Sequence, residues 1–151
     1  MGNANVRAAA NQDSTVTAAG FSPRTGKYSA RPMPVLIVDD ETLIRWSLAQ
    51  TLQARGYDVI EADSAREALE RLTERDDIGV VLLDLKLPDS KDLSLLRWLR
   101  QCYRHSRVIL MTAHGTTEVL EEALRAGAFR AVSKPFDLDQ MVEIVHDAVA
   151  E

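Results

Sequence analysis

The chain has one cysteine, Cys102, and no apolar run near the roughly 20 residues needed to span a bilayer. A single thiol cannot build an internal disulfide framework and suits a reducing compartment. With no Cys or His spacing around it, Cys102 reads as a small half-buried residue rather than a nucleophile or zinc ligand. The N-terminal MGNANVRAAANQ lacks the apolar core of a secretory signal, and Val6 stands where a myristoylation signal carries Ser or Thr. A soluble, cytoplasmic protein with no membrane association is expected. A basic surplus is missing too. Four of the 18 Lys and Arg and one of the 23 Asp and Glu lie in the first 33 positions, so the remainder carries −8. Phosphate neutralisation dominates affinity for nucleic acid, so no direct nucleic-acid binding is expected of so acidic a domain.

At 151 residues the chain has room for one well-buried domain. Residues 1–33 are rich in Ala, Asn, Ser, Thr and Gly without a sustained apolar period and read as a disordered tail. From Pro34 to Glu151, strand-length apolar runs alternate with helical patterns, which predicts βα units and a parallel sheet. Strands are expected at Val35 to Asp39, Tyr57 to Ala62, Val80 to Asp84, Arg107 to Met111 and Phe129 to Val132. The second is the most polar and is expected at an edge. Ile44, Leu48 and Leu52 mark the first helix, with Gly56 as its stop, and Ser64 to Glu67 read as a capping box opening the second. Leu93, Leu96 and Leu99 form the third apolar stripe, and Leu120, Ala123 and Leu124 the fourth, ended by Gly127. Asp137 caps the fifth helix, whose stripe is Met141, Ile144, Val145 and Ala148.

The strand ends carry the chemistry. The first apolar run stops at Asp39-Asp40, the third at Asp84, the fourth at Thr112, and the fifth leads through Ser133 to Lys134-Pro135. In an open parallel sheet all carboxyl ends of the strands share one edge, where sites form. Each residue alone has an ordinary explanation: an Asp caps a helix, a Thr suits a strand, a Lys is a surface charge. Together they place carboxylates, a hydroxyl and an ammonium on one edge. Adjacent carboxylates repel, and a divalent cation is the simplest way to keep both ionised; hard oxygen ligands suit Mg²⁺. These are the parts for transfer of a phosphoryl group to a carboxylate.

On these five motifs, residues 34–150 resemble the receiver domain of two-component response regulators. The IRW triplet at Ile44 to Trp46, Thr112-Ala113-His114 and the GAF at Gly127 to Phe129 are most similar to receivers of the nitrogen-regulatory transcription-activator class. The resemblance implies a doubly wound, five-stranded sheet of order 2-1-3-4-5 with five helices. It implies that Asp84 accepts the phosphoryl group and that Asp39 and Asp40 bind Mg²⁺, Asp40 the more directly. The carbonyl of Lys86 would complete the metal shell, Thr112 would be the switch hydroxyl, and Lys134 would contact the phosphoryl group ahead of a cis Lys134–Pro135 bond. Lys86 and His114 would flank the path of hydrolytic water. The implied partners are a sensor histidine kinase or phosphotransfer protein, with homodimerisation through the fourth helix, fifth strand and fifth helix. The role is signalling, with transcription as an output through a partner or effector domain, rather than turnover of a metabolite. No effector domain follows Glu151, which leaves a single-domain regulator or a portion of a longer product.

Two positions depart from the family pattern. Ala131 stands where an aromatic ring usually turns inward, and Asp92 stands where Gly is common. Rival readings fit less well. A haloacid-dehalogenase-type phosphatase needs two Asp separated by one residue, whereas here they are adjacent. A flavin or nucleotide module wants a phosphate-cradling loop after the first strand, where Asp39-Asp40-Glu41 would repel phosphate. A scaffold used only for interaction would have no need of the retained site.

Overall fold

The computed structural model describes residues 33–150; the expectation of a disordered tail falls almost wholly outside them. In chain order the elements are β1 (Pro34–Val38), α1 (Thr42–Ala54), β2 (Asp58–Ala62), α2 (Ala65–Glu74), β3 (Val80–Asp84), α3 (Ser94–Cys102), β4 (Arg107–Thr112), α4 (Thr117–Arg125), β5 (Arg130–Ser133) and α5 (Leu138–Ala150). The five strands are parallel in the order β2-β1-β3-β4-β5. Polar β2 lies at an edge, as its composition predicts.

The alternation of strand side chains sorts the core into two layers. Leu36, Val38, Val81, Leu83, Val108 and Leu110 face one side and pack with α2, α3 and α4. Val35, Ile37, Val80, Leu82, Ile109 and Met111 face the other and pack with α1 and α5. Because β1, β3 and the apolar stretch of β4 are covered on both faces, they tolerate no polar residue until their carboxyl ends. That is why the first polar side chains after each run emerge at one edge.

Local chemistry sets the helix ends. Ser64 Oγ accepts the Glu67 N–H at 3.1 Å, while Glu67 Oε1 reaches back to the Asp63 N–H at 2.7 Å, so the capping box closes one residue earlier than its usual form. Asp137 caps α5 by accepting the Asp139 N–H at 2.8 Å. Gly56 and Gly127 take φ of 94° and 110° beyond α1 and α4, a left-handed conformation that costs glycine little.

Some expectations need correction. Leu124 is 48% exposed; Leu120 is half-buried, and α4 buries only Ala123, because this short helix meets the core along a narrow line. Ile144 is half-buried and Val142 takes its place in the α5 stripe. Leu93 is buried but precedes α3, whose own buried residues are Leu95, Leu96 and Leu99. Cys102, at the solvent-facing end of α3, is exposed rather than half-buried.

Candidate functional site at the carboxyl edge of the sheet

Asp39, the residue after β1, is fully buried. Its N–H is tied to the Ala62 carbonyl at 3.1 Å, and its Oδ1 accepts the Glu41 N–H at 2.9 Å. Arg45 on α1 braces the turn by donating to the Asp39 carbonyl at 2.7 Å and to Glu61 at 3.0 Å. Asp84, the last residue of β3, is 5% exposed, and its Oδ1 accepts the Lys86 N–H at 3.3 Å. Thr112 ends β4 fully buried; its Oγ accepts the His114 N–H at 3.2 Å and its carbonyl accepts the Lys134 N–H at 2.7 Å. The Lys134–Pro135 peptide bond is cis.

Lys134 brings these elements together. Its Nζ lies 2.7 Å from Glu41 Oε1, 2.8 Å from Asp39 Oδ2 and 3.5 Å from Asp84 Oδ2. The contact with Glu41 is a directed hydrogen bond. The approach to Asp39 is a close ion contact without hydrogen-bond alignment, so Asp39 Oδ2 is buried with no hydrogen-bond partner. Burial opposes the ammonium, but contacts with Asp39 and Glu41 and the field of Asp84 outweigh it, holding the Lys134 pKa above its ordinary value. Burial, and then the charge of Asp39, push the Asp84 carboxyl up to about 6, with Lys134 and the Lys86 N–H pulling against them. Asp84 is therefore mainly ionised at neutral pH yet holds its charge at a cost.

The carboxylates of Asp39, Glu41 and Asp84 converge, each offering an oxygen within 4.8 Å of the others. An orphaned buried carboxylate oxygen beside a second buried carboxylate is what a small hard cation would satisfy, so the residues fit Mg²⁺. Asp40 is exposed and lies outside this converging group, whose third member is Glu41. Of the other expected residues, Lys86 and His114 have exposed side chains beside the pocket. Glu41 was visible in the sequence only as a further acid. Nothing in the spacing showed that it would reach Lys134 from 93 positions away.

Two loops frame the pocket. After β3, Leu87 and Ser90 pair as a short bridge. Asp89 accepts the Ala65 and Arg66 N–H groups at 2.8 and 2.9 Å, and these bonds lower its pKa. Asp92, one residue ahead of the N-cap Leu93, accepts the Ser94 N–H at 2.9 Å and so satisfies a free donor at the start of α3. After β4, Ser133 Oγ donates to the Gly115 carbonyl at 3.3 Å. A side chain at position 115 would collide with Ser133, so glycine is what lets this loop sit against β5.

Comparison with known proteins points to one family. The family described as the response regulator receiver domain matches residues 35–146. Over 114 residues the chain is 36% identical to the DNA-binding transcriptional regulator NtrC of Klebsiella pneumoniae, covering 76% of this chain and 24% of that protein. It is 36% identical over 112 residues to sporulation initiation phosphotransferase F of Bacillus subtilis, covering 74% of this chain and 89% of that one. The chain thus spans about a quarter of the length of its NtrC-like relatives. Among solved structures, a CheY-like receiver domain protein from Methanospirillum hungatei superposes with a TM-score of 0.74 at 29% identity, covering 79% of this chain and 94% of that one. The beryllofluoride-activated NtrC4 receiver domain dimer gives 0.72 at 30% identity, covering 76% and 94%. With fold, strand order and acidic pocket all in agreement, the chain belongs to the response regulator receiver domain family of two-component signal transduction.

Proposed function

We propose that Asp84 is the phosphoacceptor of this receiver and that a sensor histidine kinase or phosphotransfer protein is its donor. The observation that carries this reading is the buried Asp84 carboxylate with Lys134 Nζ 3.5 Å from its Oδ2. An Asp84 oxygen attacks phosphorus, the bond from phosphorus to the donor atom breaks with its electrons leaving on the donor, and an acyl phosphate remains. Lys134 neutralises charge on the phosphoryl oxygens, and the Thr112 hydroxyl exchanges its contact with the His114 N–H for one with a phosphoryl oxygen. Bound Mg²⁺ would supply further neutralisation of that charge. Asp39 and Asp84, the Lys86 carbonyl and Asp40 are the residues that would hold it, with Asp40 turning in from its exposed position.

Output would leave by the face of α4, β5 and α5. There Leu120, Ala131, Val132, Phe136 and Ile144 line a groove of about 490 Å³, and Leu124 stands exposed beside them. Ala131 offers a methyl group where a ring would otherwise move. A phosphorylation-dependent change must then run through Thr112, Lys134 and the loop from His114 to Thr117, since only contacts that differ between two states can shift their balance. Homodimerisation or partner binding on this face, and through it control of transcription, is the regulatory role that fits.

The test uses acetyl phosphate and intact mass. The protein should gain a single phosphoryl adduct only when Mg²⁺ is present, and Asp84→Asn should gain none. An adduct of equal yield in that variant overturns the assignment.

A further inference from the structure

The opposite edge of the sheet carries a surface of the other sign. Six of the 14 arginines fall between positions 97 and 130, a stretch with no lysine. Arg107 opens β4 and Arg130 opens β5, at the amino ends of strands whose carboxyl ends hold Thr112 and Lys134. Along β4 this separates the two edges by roughly 17 Å.

Arg100, Arg107 and Arg130 are held in place around Gly127 and Phe129. Arg100 donates to the Ser106 carbonyl at 2.6 Å and the Arg104 carbonyl at 3.4 Å. Its stem lies over Gly127, where an added Cβ would come within 2.8 Å of Arg100 Cγ, so this glycine admits the side chain as well as its own positive φ. Phe129 follows two residues later, and its ring carries two guanidiniums, Arg130 at 4.4 Å and Arg107 at 5.5 Å from the centroid. Arg130 also donates to the Phe129 carbonyl at 3.0 Å. Among the described residues, Arg100, Arg104, Arg125 and Arg130 have no carboxylate partner. Arg100 is fixed by two carbonyls and Arg130 by a carbonyl and a ring face, which orient a guanidinium without neutralising it.

We infer that this arginine surface, at the sheet edge away from Asp84, is a docking site for a short carboxylate-rich segment of another polypeptide, engaged whether or not Asp84 is phosphorylated. The guanidinium fork matches a carboxylate bidentately, and pre-oriented forks lose less freedom on binding. The domain as a whole carries −8, these arginines included, and would repel a long polyanion such as a duplex, whose charges extend past the patch. A short acidic segment would need only Arg100, Arg104 and Arg130, which have no carboxylate partner among the described residues. Since the surface shares no side chain with the phosphorylation pocket, occupancy there would tether a partner without reporting the signal.

The experiment measures anisotropy of a fluorescein-labelled octaglutamate peptide and, separately, of a labelled 20-base-pair DNA duplex at low ionic strength. The peptide should bind, weaken steeply with added salt, and bind equally to the parent before and after phosphorylation by acetyl phosphate with Mg²⁺. The double variant Arg104→Glu, Arg130→Glu should lose at least tenfold in affinity. The variant Arg55→Glu, Arg66→Glu, which makes the same change in net charge elsewhere, should lose less than threefold. If the first double variant fails to take up phosphoryl groups and so is misfolded, Arg104→Gln and Arg130→Gln singly should each weaken binding about threefold. No peptide binding, equal losses in the two double variants, or tighter binding of the duplex would each overturn the proposal.

Discussion

The two edges of this sheet hold charge in opposite ways. At the carboxyl edge, Asp39 and Asp84 are buried around one ammonium, and the charges of Asp39 and Lys134 both act on Asp84. At the amino edge, Arg104 and Arg130 stand exposed, and Arg130 is held by the Phe129 carbonyl and ring rather than by a carboxylate. All three lysines of the described domain, Lys86, Lys91 and Lys134, belong to the carboxyl edge or the loop beside it. The difference teaches that burial, rather than the number of charges, makes a set of side chains act as one unit. It also decides which substitutions should matter.

Lys134→Met should produce the largest change in stability. It leaves two buried carboxylates facing each other without their cation, at an expected cost of about 3 kcal/mol at pH 7 in the absence of metal. Urea unfolding would measure this, and added Mg²⁺ should recover part of the loss. A change below about 1 kcal/mol would mean the carboxylates are solvated after all.

Asp84→Asn should act the other way. The Asp84 pKa rises from 3.8 to about 6 on folding. Its protonated form therefore contributes stability below pH 4, and that contribution is lost as pH rises through 6. The neutral amide avoids the loss, so in metal-free buffer the variant should be more stable than the parent by about 1–3 kcal/mol at pH 7. The gap should close as pH falls from 6 to 4. A gap constant across that window would contradict the burial argument.

Asp40→Ala and Glu41→Ala separate the metal site expected from the family from the cluster that converges here. If Asp40 turns in as a ligand, its removal should weaken Mg²⁺ affinity about tenfold, against a few-fold at most for Glu41→Ala, whose carboxylate is already bonded to Lys134. Titration calorimetry reads both, and the reverse ranking would assign the ligand role to Glu41. At the far edge, Arg104→Gln should shift stability by less than about 0.5 kcal/mol, as expected of an exposed side chain outside any buried network.

The fold was legible because three of its strands carry continuous apolar runs of four or more residues. Such runs require cover on both faces, and their polar ends mark the functional edge. Asp39, Asp84, Thr112 and Lys134 were readable as a site because each stops or follows a strand. Two things were not readable. Glu41 reaches Lys134 across the sheet, a contact that depends on side-chain reach after the chain has turned into α1. The arginine surface is scattered through 34 sequence positions and becomes contiguous only when Gly127 and Phe129 bring α3, β4 and β5 together. A charge count gave a net acidic domain and so concealed its one basic pole.

The central claim is that Asp84, among all the carboxylates of the acidic edge, forms the bond to phosphorus. Borohydride reduction of the phosphorylated protein, which converts an aspartyl phosphate to homoserine, followed by peptide sequencing, reads the position directly. Homoserine at position 84 alone is the predicted result. Homoserine at position 39 or 40, with residue 84 recovered as Asp, would contradict it.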